Sequence, residues 1–288
     1  MALEKNILTL VHFMAYRGPR HNDSVARGEA PREYLIDSFK KVLADEYFGG
    51  IEVTHIKDSK TRAEAAELLA SSGKQVIYSA QPVQLINEDK LVHEADISCI
   101  DNVERAKAVQ RLMGLVDEAY EMGARAFGVI SGTDYGTSEG LGKRGEAKRA
   151  LARSLNELAT FIKERGESRG LEPMTLVLEL FDRLPYPGCK NQLIGPTPDA
   201  VEVAELVRHL YGQEKFGLLY DLSHMPLLND LGFEGETPDA LRSLSPFLAH
   251  INIGNCVKDR EDANFGDSHV RLDYPGAAND RDALAWFV

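Results

Sequence analysis

Seven short apolar runs alternate with longer amphipathic stretches along this chain. Each run is rich in Val, Ile, Leu and aromatic residues, which is typical of strands buried on both faces of a parallel sheet. Such alternation predicts parallel strands joined by right-handed helical crossovers. The apolar runs are Ile7–Ala15, Gly50–Ile56, Gln75–Ala80, Ala126–Gly132, Thr175–Asp182, Phe216–His224 and Leu248–Asn255. The clearest helical patterns are Pro31–Phe48, Asn102–Gly123, Arg144–Arg165 and Thr197–Gly212.

Signals at the helix ends support these patterns. The segments Thr197–Asp199 and Thr237–Asp239 share the sequence Thr-Pro-Asp. This sequence predicts a threonine N-cap followed by proline at the first helical position. A glycine also lies at the end of three helical stretches, where a left-handed residue commonly ends a helix. These glycines are Gly73, Gly123 and Gly212.

A parallel (β/α)8 barrel of the TIM type explains the pattern better than a doubly wound open sheet. Polar residues end many of the predicted strands instead of surrounding one switch point. Neither a GxGxxG nor a GxxxxGK[ST] motif follows a strand, so the dinucleotide-binding and P-loop interpretations lack their main support. The 288 residues suit one domain, since a TIM barrel takes about 250. The eighth strand is missing from residues 1–288, and we expect the natural chain to continue past Val288 rather than to close the barrel without it.

Charge and hydropathy argue against several classes of function. The formal net charge is −12, and no cluster of Lys and Arg is present. A nucleic-acid partner is therefore not expected, because such proteins neutralise phosphates with clustered basic residues. No apolar run approaches the roughly 18 residues that span a bilayer, and the N-terminus lacks the pattern of a signal peptide. The three cysteines are widely spaced and form no CxxC pair, so we expect a cytoplasmic protein without disulfides.

Glu179 and Asp221 are the carboxylates of the predicted strands that we select as site candidates. Strand alternation places Glu179 on the face opposite three leucines, so its side chain points into the barrel. Asp221 lies near the end of the next strand, and His224 follows it by three residues, in the kind of loop that holds ligands in this fold. A metal or acid–base role competes with simpler interpretations. Glu179 could instead pair with a buried cation, and Asp221 could cap the following helix.

Polar residues of later segments extend the candidate site. His250 and Asn252 share one face of the seventh run, although a lone histidine there is as often a satisfied core residue. Further candidate site residues come from loops and from the first two strands. For most of them the competing interpretation is that they lie in a solvated loop or in the core. These candidates are Lys190, Asn191, Asp267, His269, His12 and His55.

These residues resemble the xylose-isomerase-like TIM barrels, a superfamily of sugar isomerases and epimerases. The resemblance implies a metal-binding glutamate at Glu179, a metal-binding aspartate at Asp221 and a substrate-binding histidine at His224. An H-x-H element on strand seven corresponds to His250 and Asn252. Asn252 departs from the family pattern, because the second histidine of that element is a metal ligand. The family's last ligand, a glutamate on strand eight that also serves as an acid/base, is not present in this chain.

The resemblance implies a metal-dependent isomerase or epimerase that acts on a sugar or polyol by proton transfer next to a carbonyl. Glu179, Asp221 and Asn252 would bind the metal, with Glu179 also acting as base and His224 as a catalytic group. Mn²⁺ or Mg²⁺ suits an oxygen-rich site, with Zn²⁺ or Co²⁺ as alternatives. Two other functions stay open: a metal-dependent dehydratase on a cyclitol or keto-sugar, and a non-catalytic sugar-binding protein with a decayed metal site. A homo-oligomer is also left open. The proposed substrate contacts are His55, Lys190, Asn191, His250, Asp267 and His269.

Overall fold

The computed structural model describes residues 7–18, 24–85, 96–136, 141–229 and 242–282. The chain divides into two compact units, which are described separately. The first unit comprises Met1–Val92, Gln110–Gly128 and Phe161–Thr175. The second unit comprises His93–Val109, Val129–Thr160 and Leu176–Val288. Among the described residues, no helix is both long enough and apolar enough to span a membrane.

The first unit contains the first half of the strands. In chain order, neighbouring strands pair in parallel, with Ile51 opposite Leu10 and Val76, and Tyr78 opposite Phe127. These apolar side chains are fully or almost fully buried, apart from Leu10. The strands are β1 (Thr9–Val11), β2 (Gly50–Val53), β3 (Gln75–Ser79) and β4 (Ala126–Val129), of which Val129 falls in the second unit. The helices are α1 (His12–Ala15), α2 (Arg32–Ala44), α3 (Ser59–Ser72) and α4 (Gln81–Leu85).

Two long helices, α5 (Asn102–Glu121) and α6 (Leu141–Ser168), contribute residues to both units. The second unit contains β5 (Thr175–Leu180), except for its first residue, together with β6 (Phe216–Asp221) and β7 (Leu248–Asn252). These strands also pair in parallel and in chain order. The alternate leucines of β5 are fully buried, as the sequence predicts. The other helical segments are α7 (Thr197–Glu205), a π-helical turn (Leu206–Leu210), α8 (Met225–Asn229) and a 3₁₀ turn (Ser245–Phe247).

Seven parallel strands in chain order, alternating with helices, confirm the predicted α/β architecture of the TIM type. Every predicted run contains a strand, but each strand ends one to four residues earlier than predicted. The largest difference is in the first run, where the strand stops at Val11 and His12–Ala15 is helical. The apolar runs continue into loops at the carboxyl ends of the strands, where side chains remain buried after the backbone has left the sheet. No eighth strand occurs in the described part of the chain.

The helix-end predictions were partly correct. Gly73, Gly123 and Gly212 all have positive φ values just after helices, as predicted. The prediction of Thr197 as an N-cap was wrong, because the helix already includes Thr197 and its N-cap is Pro196. Proline fits there because its fixed φ of −60° is compatible with the extended backbone that precedes a helix. The second Thr-Pro-Asp segment, 237–239, lies outside the described residues.

Candidate active site

Acidic and imidazole side chains meet in the second unit, at the carboxyl ends of β5 and β6. Glu179 lies in β5, and its Cα is paired with that of Leu219 in β6. Asp221 is the last residue of β6. His224 lies in the turn that leads into α8, where its backbone N–H donates to the carbonyl of Asp221 at 3.2 Å. The turn therefore places the His224 side chain next to Glu179 of β5 and Asp221 of β6.

The loop after β7 adds two more side chains to this cluster. The backbone N–H of Asp267 donates to the carbonyl oxygen of Gly188, in the loop after β5, at 3.0 Å. Gly188 and Gly266 both have positive φ values, and a Cβ on Gly266 would lie 2.5 Å from the Gly188 oxygen. The two loops can approach this closely only because both residues are glycine. This contact positions Asp267 and His269 beside His224.

The ring of His224 lies between carboxylates on both sides. Its Nε2 atom is 3.3 Å from Glu179 Oε1 and 3.4 Å from Asp221 Oδ2. Its Nδ1 atom is 3.4 Å from Asp267 Oδ1, which is also 2.9 Å from His269 Nε2. The His224 side chain is completely buried and stacks on Phe181 with ring centroids 3.9 Å apart. Packing thus fixes the ring in the centre of the cluster.

Burial and mutual charge shift the pKa values of these groups. Burial raises the pKa of Glu179 to about 7, although the neighbouring His224 ring opposes this rise. Burial would lower the pKa of His224, but Asp267, Asp221 and Glu179 together raise it to about 10. The pKa of Asp267 lies well below its usual range, because His269 and His224 outweigh the effect of burial. In the same way Asp267 raises the pKa of His269 against the effect of burial.

Two groups of side chains in this cluster have the spacing of metal ligands. Asp221, His224 and His269 form one group, and Asp182, His224 and Asp267 form the other, with the ligand atoms of each group within 4.8 Å of one another. Both ring nitrogens of His224 and Oδ1 of Asp267 are buried without a hydrogen-bond partner. Buried polar atoms normally have partners, because leaving them unsatisfied costs about 1–3 kcal/mol each. A divalent cation would supply the missing partner, so these residues fit a metal ion.

A family model provides the decisive comparison. The model described as the xylose isomerase-like TIM barrel matches residues 31–280, which is most of the chain. This chain belongs to the xylose isomerase-like TIM barrel family. The resemblance predicted from the sequence is therefore confirmed. A search of curated proteins gave no significant match.

Solved structures of sugar epimerases share the fold of this xylose isomerase-like barrel. D-psicose 3-epimerase from Clostridium cellulolyticum H10 is 17% identical, with a TM-score of 0.56 over 88% of this chain and 76% of the epimerase. D-allulose 3-epimerase from a Methylomonas species is 13% identical, with a TM-score of 0.60 over 91% and 78%. The 3-keto-D-glucoside 4-epimerase from E. coli is 15% identical, with a TM-score of 0.52 over 88% and 93%.

Asp182 belongs to this xylose isomerase-like site, although the sequence analysis did not select it. Its fully buried carboxylate accepts hydrogen bonds from the backbone N–H groups of Lys190 and Asn191, at 2.9 Å and 3.1 Å from Oδ1. Burial raises its pKa, and these hydrogen bonds oppose the rise. Its spacing of three residues from Glu179 was the available sequence signal. The substrate contacts predicted for the side chains of Lys190 and Asn191 stay predictions.

The two polar residues of β7 lie beside the cluster. Asn252 is opposite Asp221 in the register of β6 and β7, and its carbonyl accepts the N–H of Leu222 at 3.0 Å. The His250 side chain hydrogen-bonds to Asn252, and burial lowers the pKa of His250. Both residues therefore lie where their predicted roles require. The metal-binding role of Asn252 and the substrate-binding role of His250 remain predictions.

The two histidines from the first strands have partners in the first unit. His55 Nδ1 is 2.9 Å from Glu118 Oε2 in α5, and the His55 side chain is 24% exposed. His12 is buried, and its Nε2 is 2.8 Å from the hydroxyl of Ser38. Both residues line one small cavity of the first unit, and the substrate contact predicted for His55 stays a prediction.

Proposed function

We propose that this protein is an enzyme that uses a divalent metal ion to isomerise or epimerise a sugar or polyol, by moving a proton next to a carbonyl group. The observation that carries the proposal is the buried cluster of acids and imidazoles, in which the ligand atoms of Asp221, His224 and His269 lie within 4.8 Å of one another. The epimerases that share the fold support a sugar as the class of substrate. Fold alone does not determine the reaction, so the residues of the site must carry the argument.

We assign Glu179, Asp221 and Asn252 as metal ligands and add His269 to them. His269 qualifies because its ring nitrogen lies within 4.8 Å of the ligand atoms of Asp221 and His224. A donor set dominated by oxygen favours Mn²⁺ or Mg²⁺, and a larger share of imidazole would favour Zn²⁺ or Co²⁺. When bound, such an ion polarises a carbonyl and the adjacent hydroxyl as a Lewis acid.

Glu179 is the proposed base. A carboxylate can act as a general base, and Glu179 Oε1 lies within the cluster, 3.3 Å from His224 Nε2. Its Oε1 atom would take the proton from the carbon next to the substrate carbonyl. His224, held by Phe181 and by the surrounding acids, orients the substrate. The other proposed substrate contacts in the second unit are Lys190, Asn191, His250, Asp267 and His269, and a substrate contact of His55, in the first unit, stays a separate prediction.

The stereochemistry of the product depends on a second proton-transfer group. Epimerisation inverts one carbon, so the proton must return from the face opposite to Glu179. Isomerisation between an aldose and a ketose can use one base on a single face. Asp182 is our candidate for the second group, because burial raises its pKa and it lies in the same cluster.

The test is product analysis with defined metals. Chelator-treated protein is loaded with Mn²⁺, Co²⁺, Zn²⁺ or Mg²⁺ and incubated in D₂O with a panel of ketoses and 3-keto-glucosides. We expect a new epimer or isomer that carries deuterium at the carbon next to the carbonyl. Glu179→Gln should abolish deuterium incorporation, whereas the matched variant Glu205→Gln, at an exposed residue of α7, should retain it. Metal-dependent turnover that survives Glu179→Gln would contradict the proposal.

A sugar-binding protein without catalysis is the second candidate, and Asn252 is the observation that favours it. The neutral amide stands where the family has a histidine ligand, which weakens the expected metal affinity. Sugar binding that is unaffected by a chelator, without any turnover, would support this function. A product that has lost water would instead support the dehydratase.

We also propose a cytoplasmic location. All three cysteines are free thiols, which fits a reducing compartment. Whether the protein forms a homo-oligomer can be tested by light scattering on the purified chain.

A further inference from the structure

The side-chain amide of Asn279 joins two backbone segments next to the candidate site of the second unit. Its Nδ2 atom donates to the carbonyl oxygen of Leu222 at 2.6 Å and to that of Gly254 at 3.2 Å. An amide nitrogen carries two hydrogens, so both are used. Leu222 directly follows the last residue of β6, and Gly254 lies two residues after the end of β7. One side chain therefore ties together the carboxyl ends of two neighbouring strands.

A second amide fixes the backbone of Asn279. The fully buried Asn255 donates from Nδ2 to the Asn279 carbonyl at 2.7 Å, and its Oδ1 accepts the Asn279 N–H at 2.8 Å. The next residue adds to this contact, because the Ala278 N–H donates to the Cys256 carbonyl at 2.9 Å. The Asn279 backbone is thus held at both its N–H and its carbonyl, which fixes where its side chain starts.

The hydrogen bond to Leu222 acts on the turn that orients Asp221. Ser223 donates twice to Asp221 Oδ1, from its backbone N–H and from its hydroxyl, each at 2.6 Å. Asp221 Oδ2 faces the His224 ring, whose Nε2 is 3.4 Å away. Because Leu222 lies between Asp221 and Ser223 in the chain, fixing its carbonyl holds the turn in which this carboxylate is oriented.

The hydrogen bond to Gly254 acts on the surroundings of His269. A Cβ on Gly254 would lie 3.0 Å from Ser223 Cβ and 3.4 Å from His269 Nδ1. Only a residue without a side chain lets both neighbours approach the backbone this closely. A displacement of the Gly254 backbone would therefore displace Ser223 and the His269 ring as well.

We infer that Asn279 is a positioning residue for Asp221 and His269. The inference rests on the proposed function, in which these two residues are metal ligands. Asn279 acts through the carbonyls of Leu222 and Gly254 and does not itself bind the ion. Partners outside the ligand set commonly contribute about 10–100-fold to metal affinity, because they orient the ligands. We expect an effect of this size from Asn279.

Titration of the chelator-treated protein with Co²⁺ at pH 7 tests this role. The visible absorption of bound Co²⁺ depends on the number and geometry of its ligands, so the spectrum reports their positions directly. Asn279→Ala should weaken Co²⁺ binding by about 10–100-fold and change the spectrum at saturating metal. Asn279→Asp should also change the spectrum although it is nearly the same size, because its oxygens cannot donate to the two carbonyls.

Asn264→Ala is the matched control for this titration. Asn264 is an exposed residue of the loop after β7, and its Nδ2 donates to the Tyr274 hydroxyl at 2.8 Å. The control thus removes a hydrogen bond of the same kind that involves none of the proposed ligands. We expect the wild-type affinity and spectrum in Asn264→Ala. A purely structural role of Asn279 would lower its stability alone, and Asn279→Ala would then match the control in affinity and spectrum, which would overturn the inference.

Amide hydrogen exchange of the metal-free protein gives a second measurement. The Ser223 N–H, which donates to Asp221, should exchange severalfold faster in Asn279→Ala than in Asn264→Ala, because the turn opens more often without the hydrogen bond to Leu222. A wild type that binds no Co²⁺ would contradict the proposed function, and the exchange rates would then decide on Asn279. Equal rates in the two variants would overturn its positioning role.

Discussion

The buried His12 should make the protein sensitive to acid. The Ser38 hydroxyl donates its only proton to the Leu35 carbonyl at 2.7 Å, so its oxygen must accept from His12 Nε2, at 2.8 Å. The ring is also stacked on Phe39, with centroids 4.3 Å apart. Burial lowers the pKa of His12 from 6.5 to about 3. His12 is therefore neutral in the folded protein, with its proton on Nε2.

Acid lowers the free energy of unfolding because the unfolded chain binds a proton at His12 more readily than the folded protein does. Below pH 6.5 the unfolded chain protonates at His12, whereas the folded protein does not do so until about pH 3. Stability is therefore lost as the pH falls through this window. Between pH 7 and pH 5 this one histidine should lower the free energy of unfolding by about 2 kcal/mol.

Urea unfolding followed by circular dichroism at pH 7 and pH 5 measures this loss. His12→Phe keeps an aromatic ring against Phe39 but cannot titrate, so it should lose about 2 kcal/mol less than the wild type on acidification. His209→Gln, at an exposed histidine of the π-helical turn, is the control. If the wild type and His12→Phe lose the same stability between the two pH values, the reasoning is refuted.

Three further substitutions test the contacts that hold the residues around His224 and around Glu118 in place. Asp182→Ala leaves the backbone N–H groups at 190–191 without their acceptor, so it should lower the free energy of unfolding in urea by at least about 2 kcal/mol. Asp182→Asn should lower it by less, because the amide keeps an acceptor oxygen. Equal losses in the two variants would contradict this prediction. Tyr78→Phe removes one hydrogen bond to Glu118 and should cost about 1 kcal/mol, so an unchanged unfolding midpoint would count against that bond. Gly266→Ala places a Cβ 2.5 Å from a carbonyl oxygen. It should weaken metal affinity measured by calorimetry, and wild-type affinity would argue against the positioning of the loop.

The positions of the strands were largely predictable, but their carboxyl ends were not. Six of the seven predicted runs begin at the first residue of an observed strand. At the other end, side chains such as Phe181 remain buried in the site after the backbone has left the sheet. Apolar composition therefore continues past the last strand residue, and the sequence alone does not reveal that boundary.

The candidate site was predictable where its residues follow local rules. Strand alternation identified Glu179, and the spacing of three residues connected Asp221 with His224. Asp182 was missed because its partners are backbone N–H groups in a loop that returns to it eight and nine residues later. The contact of His55 with Glu118 joins residues that are 63 positions apart, and no local pattern indicates it.

Metal binding by the chelator-treated protein tests the central claim most directly. Mn²⁺ is titrated by calorimetry at pH 7, in two buffers that differ in ionisation enthalpy. We predict binding of about one equivalent with release of a proton, because metal ligands and their neighbours must deprotonate and the pKa of His224 in the metal-free protein is about 10. Asp221→Asn should weaken binding by more than about 100-fold, since even partners outside the ligand set contribute 10–100-fold. Absence of binding, or binding that Asp221→Asn leaves unchanged, would contradict the account.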